Sequence, residues 1–557
     1  MEELLASTIA SEVKVPHIIA RFLVKRGCSS VAEAYSMLYG DKNCVQDPFL
    51  MLGMEEAVEW IFSIRERGES IFIFGDYDLD GLSSVALLSR GLKEVGVSTE
   101  WRLPNRFSSG YGLSITAIDE MISAGAKNIL TVDTGITAIL EISYAKSKGL
   151  RVMVVDHHQP SGDGLPECDV LLDPHIKEDS YKNVELCGVG LSYKLICALF
   201  SRLGLEGTEK YLDLVALGTL ADLVPMTPEN KYFTRCGLEL MANTHWPGIR
   251  ELCREVLNTH PFIGGQDVLF RIAPLLNAPG RMGCADAALH VLLCDDPLTA
   301  PVLHAKLKEW NMARKKVEAE ISEVAAEWVH NRYGDKLPPV LIVDGKGWHL
   351  GVIGIVAAKI AQKFNRPTAI LSVQEDEKAH ASARAVLGFN WHKALFEFRH
   401  LFERWGGHAN AAGFSILESR IEAFREALNI FANSQGFFPE EMKRNTSFDI
   451  LVALSEIDKT VMDWILKMEP FGGDFHYPVF KAVKVKVHKL RELRGNHLQM
   501  EINQNGSRRF SSIAFGMGHL KPKIEANNYE VTLIFEPVWN AFNGRRSIQL
   551  AVKEMEF

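Results

Sequence analysis

The sequence predicts a multidomain α/β protein that ends in a small β-barrel, and three observations carry this prediction. In the first half, apolar runs that end in acidic residues alternate with helical stretches, which indicates an open parallel sheet. A long, highly charged amphipathic stretch then leads into a second α/β region. The tail carries short β-rich runs divided by glycine, asparagine and proline, a pattern typical of a barrel.

The length of 557 residues is too great for a single hydrophobic core and favours about three or four folded units. We expect an N-terminal helical segment, a domain built on the parallel sheet, a long connector helix, a second α/β domain and the barrel. Their predicted ranges are 1–50, 51–300, 301–335, 336–440 and 441–557.

The composition is typical of a globular protein, with 47% hydrophobic and 24% charged residues. The net charge of −9 argues against a uniformly basic nucleic-acid binder but leaves room for local basic surfaces. Nine cysteines occur without a C-x-x-C pair, which fits reduced thiols better than disulfides or a zinc site. No run of about 18 apolar residues occurs, so we expect no membrane association and a cytoplasmic location.

The first acidic motif lies in Ile71–Gly81, IFIFGDYDLDG, where four apolar residues predict a buried parallel strand. This strand runs into Asp76, Asp78 and Asp80. Carboxylates packed so closely repel one another and lose hydration unless cations neutralise them. A solvated acidic turn is the alternative explanation for such a motif on its own.

The same design recurs at two later strands. A second apolar run ends in Asp133, and a third ends in Asp156, His157 and His158. A single acid in this position is usually a cap or turn residue. Because the carboxyl ends of parallel strands meet at one edge of the sheet, the three acidic ends are predicted to converge there. Asp222, near the end of an apolar-faced helix, is a candidate for a further ligand.

Carboxylates combined with one or two imidazoles suit Mn²⁺ or Mg²⁺ better than zinc, because no thiolate joins the set. The carboxylates outnumber what one ion needs, so we predict two divalent cations about 4 Å apart. Such a pair activates a water and stabilises both oxygens of an in-line phosphoryl displacement. The pattern therefore predicts hydrolysis of a phosphodiester or a phosphoanhydride without a serine or cysteine nucleophile.

A series of motifs follows in order along the chain: GDYDLDG, VDTG, VDHH, GTLADLVP, LNAPGRM, NMARK, WHLGVIGIVA, ASAR and GGHANAAGF. In that order they resemble the DHH phosphoesterase superfamily, and within it the exonucleases specific for single-stranded DNA. The resemblance covers essentially the whole chain from about residue 45. It implies a parallel-sheet DHH domain, a DHHA1-like substrate-binding domain and a C-terminal OB-fold.

The resemblance also implies roles for the acids and imidazoles of the first domain. The implied metal ligands are Asp78, Asp80, Asp133, His157 and Asp222. Asp133 would bridge the two ions. The remaining three are implied to assist catalysis: Asp76 and Asp156 in or just behind the layer of direct ligands, and His158 facing the substrate phosphate.

Further groups are expected to bind the substrate. In the second domain, Ser382 and Arg384 lie among small residues that allow close approach, and Gly407 and His408 offer a backbone N–H and an imidazole to phosphate oxygens. A turn without function is the alternative for the glycine motif alone. The resemblance adds Arg281 to the phosphate-binding groups. It also suggests Tyr111 as a stacking partner for a base, although a core tyrosine fits this position equally well.

The tail should contribute a basic strand face. Residues 483–488 alternate apolar and polar side chains, and residues 481–509 contain eight lysines and arginines against two acids. This face, with His488 and Phe510 nearby, suits a single-stranded backbone, whereas a merely solvated strand is the alternative. The superfamily's PFG motif is retained at Pro470–Gly472.

The resemblance implies a metal-dependent 5′→3′ exonuclease that degrades single-stranded DNA to nucleotides in DNA repair and recombination. It further implies a single-strand-binding protein and a helicase as partners. Two alternatives remain open at this point. One is a phosphodiesterase or pyrophosphatase with a small substrate, which would not require the basic barrel. The other is a scaffold without activity, which the complete set of acidic residues argues against.

Overall fold

The structure, a computed structural model, describes residues 1–40, 42–104, 112–160, 164–258, 262–439, 447–473, 475–542 and 545–557. The chain opens with three short helices: α1 (Glu2–Val13), α2 (His17–Lys25) and α3 (Val31–Tyr39). Among the described residues, no helix combines the length and apolar character needed to cross a membrane.

The first domain is built on a five-stranded parallel sheet. Its strands are β1 (Ser70–Gly75), β2 (Ser98–Arg102), β3 (Asn128–Val132), β4 (Arg151–Val155) and β5 (Val170–Leu172). They run in the order β2-β1-β3-β4-β5, and all neighbours are parallel, as the sequence predicts. The strand order reverses between β1 and β3, which is where open α/β sheets bind their ligands.

Helices surround this sheet and extend beyond it. They are α4 (Met54–Glu66), α5 (Leu79–Glu94), α6 (Ile115–Ser123), α7 (Ile139–Ser147), α8 (Gly188–Leu203), α9 (Leu212–Ala221), α10 (Pro228–Met241), α11 (Pro247–Leu257), α12 (Gly265–Asp267), α13 (Ala273–Arg281) and α14 (Asp286–Leu292). Alternate residues of β1 enter different cores: Ile73 packs with α5 and α8, whereas Phe72 packs with α6 and α7. Both faces of the sheet are therefore buried, as its continuous apolar strands require.

Two glycines let β1 turn directly into α5. A Cβ added to Gly75 would lie 2.3 Å from Cγ2 of Val85, and one added to Gly81 would lie 2.6 Å from the carbonyl oxygen of Asp76. No residue with a side chain fits in either position without moving its neighbours. The tight turn brings the acidic motif to the carboxyl end of the sheet.

The connector is a single helix, α15 (Ala300–Tyr333), close to its predicted position. It leads into the second domain, whose strands are β6 (Leu341–Lys346), β7 (Thr368–Val373), β8 (Lys378–Arg384), β9 (Phe402–Gly407) and β10 (Ala411–Leu417). Its helices are α16 (Ile353–Phe364), α17 (Trp391–Glu397) and α18 (Ile421–Ser434). The strand order is β6-β7-β8-β10-β9, with only β6 and β7 parallel.

The tail forms the predicted barrel. Its elements are β11 (Ile450–Leu451), α19 (Lys459–Lys467), β12 (Phe480–Leu493), β13 (His497–Asn503), β14 (Phe510–Ala514), α20 (Lys521–Ala526), β15 (Glu530–Phe542) and β16 (Arg545–Glu556). Pairing of β12 with β15 closes five strands into a ring. The expectation that Phe510 contributes to a binding face is wrong, because its side chain is buried in the core.

The first domain and the barrel share one continuous hydrophobic core, whereas the second domain has cores of its own. The N-terminal helices help to join the two parts. Arg26, directly after α2, forms an ion pair with Asp449 (3.0 Å), and Arg21 of α2 donates a hydrogen bond to the carbonyl oxygen of Leu451 (3.0 Å). The barrel is therefore packed into the first domain rather than attached only by the chain.

Candidate metal centre and phosphate-binding groups

Acids of the first motif lie where β1 ends and α5 begins. Asp78 is the N-cap of α5, and its Oδ1 accepts hydrogen bonds from the backbone N–H groups of Asp80 (3.0 Å) and Gly81 (3.2 Å). A carboxylate is favourable there because the first N–H groups of a helix lack partners within the helix. Asp76, directly after β1, is buried.

Asp80 is also buried and is held by the beginning of α8. Its Oδ2 accepts the N–H of Gly188 at 2.7 Å, and its Oδ1 accepts the N–H of Val189 at 2.9 Å. Little space surrounds this carboxylate, since a Cβ added to Gly218 of α9 would lie 2.6 Å from Oδ1. Backbone groups of neighbouring helices therefore fix the position of Asp80.

Asp133 and His157 connect the ends of β3 and β4. Asp133 is buried with a φ of 58°, in the left-handed region that Asp and Asn adopt more readily than other residues with a side chain. Its Oδ1 lies 3.0 Å from Nε2 of His157. The same Nε2 lies 3.7 Å from Oδ2 of Asp80 and 3.9 Å from Oδ2 of Asp222.

The possible ligand atoms form three groups, within each of which they lie no more than 4.8 Å apart. The groups are Asp76, Asp78 and Asp133; Asp80, His157 and Asp222; and Asp133, His157 and His158. Because Asp133 and His157 each belong to two groups, the three adjoin one another. The structure thus brings together all five side chains that the resemblance implies as ligands, with Asp76 and His158 beside them.

Asp156 has a different environment from the other acids. Its Oδ2 accepts the N–H of Ile136 at 2.9 Å, and its Oδ1 lies 2.8 Å from Nδ1 of His158. Burial alone would raise the pKa of Asp156, but the hydrogen bond and charge of His158 lower it overall. Conversely, burial would lower the pKa of His158, but Asp156 raises it to about 9. Asp156 therefore orients His158 and favours its protonated form.

The donor set fits hard divalent cations. Burial raises the pKa of Asp133 well above its ordinary value, and the charges of Asp80 and Asp78 raise it further, so this cluster requires positive charge to remain ionised. Burial lowers the pKa of His157, which leaves its imidazole neutral, as a metal ligand must be. Burial raises the pKa of the nearby Cys187 thiol, and no cysteine belongs to the ligand groups found among the described residues.

A cavity of about 160 Å³ opens beside the acids. Its lining residues are Tyr77, Asp78, Leu79, Asp80, Ala221, Asp222, Asn277 and Arg281. Arg281 is the last residue of α13, and its Nη1 lies 3.4 Å from the carbonyl oxygen of Gly351, which precedes α16. A predicted phosphate-binding residue of the first domain therefore meets the second domain at the edge of this cavity.

In the second domain, Ser382 and Arg384 project from β8 towards the start of α16. Nη1 of Arg384 donates a hydrogen bond to Oγ of Ser382 at 3.2 Å. A Cβ added to Gly354 would lie 2.9 Å from this Oγ and 3.1 Å from Nη2 of Arg384. Since Gly354 is three residues after Gly351, both groups lie near the segment before α16 that contacts Arg281.

Gly407 and His408 lie at the turn between β9 and β10. Gly407 has a φ of 127°, and a Cβ there would lie 2.5 Å from the carbonyl oxygen of Ala411. The N–H of His408 donates to that oxygen at 2.8 Å, and Ala411 pairs with Arg384 in the next strand. Both residues are exposed. Tyr111, the predicted stacking residue, lies outside the described residues.

The sequence reasoning overlooked two neighbours of the acids. Asp173, directly after β5, is a buried fourth strand-end acid, and its Oδ1 accepts the N–H of His175 at 2.8 Å. Separately, the interaction of the Asp173 carboxylate with the imidazole raises the pKa of His175 against the effect of burial, and the backbone of His157 also contributes. In the sequence, the short apolar run Val170–Leu172 is followed by Asp173-Pro174-His175, and this pattern could have indicated the acid. The second neighbour is Asn277 of α13. It lies four residues before Arg281, so the two side chains share one face of the helix, and both line the cavity.

Comparison with known proteins identifies the three domains. The sequence matches the DHH family, N-terminal domain, over residues 70–219; the DHHA1 domain over 337–434; and the RecJ OB domain over 448–554. The fold and the acidic cluster therefore define a DHH-type phosphoesterase, and the predicted fold class is confirmed.

Full-length relatives narrow this class. The chain is 32% identical over 98% of its length to the single-stranded-DNA-specific exonuclease RecJ of Bacillus subtilis, of which it covers 69%. It is 30% identical to the Escherichia coli RecJ, covering 97% of this chain and 96% of that one. A crystal structure of RecJ from Thermus thermophilus in complex with Mn²⁺ superposes with a TM-score of 0.83 at 26% identity, covering 100% of this chain and 78% of that one. The chain belongs to the RecJ family of single-stranded-DNA-specific exonucleases.

Proposed function

We propose that this chain degrades single-stranded DNA from the 5′ end to nucleotides with the aid of two divalent cations, Mn²⁺ or Mg²⁺. The observation that carries the proposal is the convergence of three acidic strand ends and the end of α9 in one cluster, beside which a cavity opens. Membership of the RecJ family supports the choice of a single-stranded DNA substrate. The 5′→3′ direction rests on the motif resemblance.

The proposed ligands are the five residues that the motifs suggest: Asp78, Asp80, Asp133, His157 and Asp222. When bound, the cations supply Lewis-acid activation of a water and neutralise charge on the scissile phosphate. The protein holds its acids in advance through backbone N–H groups, so little reorganisation accompanies binding. Asp76 adjoins this set and helps to orient it.

Asp156 and His158 would act on the substrate as a pair. The carboxylate of Asp156 fixes the imidazole through a hydrogen bond of 2.8 Å to Nδ1. A protonated imidazole at this position stabilises the negative charge that develops on the phosphate oxygens and can donate a proton to the leaving oxygen.

Phosphates of the strand would bind between the first and second domains. The proposed contacts are Arg281, Ser382, Arg384, Gly407 and His408, and Tyr111 remains a proposed stacking partner for a base. The contact between Arg281 and Gly351 supports a continuous phosphate-binding surface across the two domains. Guanidinium groups suit this task because they bind two phosphate oxygens at once.

We further propose a role in DNA repair and recombination in the cytoplasm, with a single-strand-binding protein and a helicase as partners. The predicted division at residues 50, 300, 335 and 440 is likewise part of the proposal. The matched family ranges, 70–219, 337–434 and 448–554, fit inside this division.

The test is digestion of linear single strands labelled at one end, with Mn²⁺, with Mg²⁺ or with a chelator. A 5′ label should appear at once as mononucleotide, while a 3′ label should pass through progressively shorter strands. A circular single strand of the same composition is the matched control and should remain intact. Early release of the 3′ label, cutting of circles, or full activity with the chelator would contradict the proposal.

A further inference from the structure

The segment Glu469–Gly473 of the C-terminal domain, here called the seam segment, contacts the first domain beside the metal centre. Oε2 of Glu469 accepts the N–H of Gly265 at 2.7 Å. A Cβ added to Gly264 would lie 2.5 Å from the same oxygen, so the carboxylate is tightly enclosed. Glu469 thus gives a hydrogen-bond partner to the first N–H of α12, which has none within the helix.

Gly265 is the first residue of a continuous helical rod that ends at the metal centre. The rod comprises α12, a π-helical turn (Val268–Ile272) and α13, and it ends at Arg281. At 1.5 Å per residue, its 17 residues (Gly265–Arg281) span about 25 Å. Because the successive turns form one uninterrupted helical segment, a shift of its beginning can be passed on to Asn277 and Arg281 at the cavity.

The seam segment also supports the loop that follows Asp222. A Cβ added to Gly473 would lie 2.7 Å from the carbonyl oxygen of Val224, and one added to Gly472 would lie 2.7 Å from Cε of Met226. Within this loop, Leu223 has a φ of 60°. The residue directly after a proposed ligand is therefore in an unfavourable conformation, and packing by the seam segment holds it there.

We propose that Glu469 and Gly473 are positioning residues of the metal centre. Through them the C-terminal domain would fix Arg281 by way of the helical rod and Asp222 by way of its loop. The barrel would then belong to the catalytic frame in addition to gripping DNA. This inference rests on the proposed function of Asp222 and Arg281, and it agrees with the core that the two domains share.

The first test measures Mn²⁺ binding by the full-length protein without DNA, using the electron paramagnetic resonance signal of free Mn²⁺. Gly473→Ala forces the loop away and should weaken binding at one site by about 10–100-fold, the usual effect of losing support behind a ligand. Gly472→Ala is the matched control. It meets only the flexible end of Met226, so it should bind Mn²⁺ within about threefold of the unchanged protein.

The second test measures single-turnover cleavage of a saturating single strand. Glu469→Ala should slow cleavage about tenfold, which corresponds to about 1.4 kcal/mol in the barrier. Affinity for long strands should stay unchanged. Glu469→Gln keeps an oxygen that accepts the Gly265 N–H and should restore most of the rate. Lys467→Ala, at the exposed end of α19 just before the seam segment, should behave like the unchanged protein.

The inference is overturned if both Gly473→Ala and Glu469→Ala are folded, judged by their unfolding temperatures, and bind Mn²⁺ and cleave normally. It is equally overturned if their only defect is weaker binding of DNA. If Gly473→Ala does not fold, Glu469→Ala decides the inference on its own. The Mn²⁺ measurement uses no DNA, so it still decides the inference if the unchanged protein fails to cleave single strands.

Discussion

The metal centre and the basic face of the barrel are built in opposite ways. In the centre, Asp80 and Asp133 are buried, and their oxygens are held by backbone N–H groups or by an imidazole. On the barrel, Lys484 and Lys486 are exposed side chains on one long strand. Catalytic geometry thus depends on a few atoms without freedom to move, whereas strand binding sums many weak contacts. Single substitutions should accordingly have large effects in the first region and small effects in the second.

The largest loss of cleavage activity is expected from Asp133→Asn in the metal centre. Asparagine keeps the size of the side chain and tolerates the φ of 58°, so the fold should be retained. Losing a residue that supports a metal ligand usually lowers activity by about 10–100-fold. The loss of a charged ligand itself should lower the cleavage rate by more than this. The measurement is single-turnover cleavage at saturating Mn²⁺.

Its matched control is the unfolding temperature of the metal-free protein. This should not fall, because burial and neighbouring acids already disfavour the ionised carboxylate there. Near-normal cleavage by Asp133→Asn would remove this residue from the set of ligands.

Gly218→Ala should produce a smaller defect without replacing any proposed ligand. The new Cβ would lie 2.6 Å from Oδ1 of Asp80 and would push that carboxylate away from the N–H groups of α8. Cleavage should fall by about 10–100-fold. Gly190→Ala in α8 is the control. Its Cβ meets only the side chain of Leu186 at 3.2 Å, so its effect should be much smaller. Equal effects of the two substitutions would show that helix packing, not Asp80, is responsible.

Arg384→Ala tests a region of intermediate character, half-buried and outside the metal cluster. The loss of a charge-assisted hydrogen bond to phosphate, about 1.5–3 kcal/mol, should lower kcat/KM by about tenfold or more. Most of this change should appear in KM, and Mn²⁺ binding without DNA should be normal. Arg384→Lys should recover only part of the loss, because a single ammonium cannot bind two oxygens in parallel. A change in Mn²⁺ affinity would assign Arg384 to the metal centre instead.

The same contrast explains how far the sequence could predict the structure. The acids of the centre directly follow apolar strands that alternate with helices. This alternation predicts a parallel sheet whose strands all end at one edge, so the convergence of the acids could be predicted from the sequence. The support of Asp80 by Gly188 and Gly218 could not, because these glycines belong to helices more than one hundred residues away. Contacts between distant backbone segments leave no local pattern.

Alternating residues in the tail predict the barrel, and the closed sheet confirms it. Its surface is harder to predict, because a strand pattern gives two faces but not which one is buried. Phe510 lies inside, and Val483 is exposed because the pairing with β15 is irregular between Ala482 and Val485, where Lys484 has a φ of 53°. The contact of Glu469 with Gly265 is also beyond prediction, since the two residues are 204 positions apart.

The smallest effect is expected on the barrel. Lys484→Ala with Lys486→Ala removes two exposed charges from a face where Lys489 and Arg509 are already paired with Glu501. Affinity for long single strands should fall only a few-fold at moderate salt. The slope of log affinity against log salt concentration should decrease by about 0.7 for each lysine that contacts a phosphate. Lys306→Ala, on the exposed side of α15, is the control and should leave the slope unchanged.

Because Lys484 and Lys486 lie outside the metal centre, single-turnover cleavage at saturating protein should not change when both are replaced. A large loss of that rate would mean that exposed barrel residues also fix catalytic geometry, and the contrast between the two regions would fail.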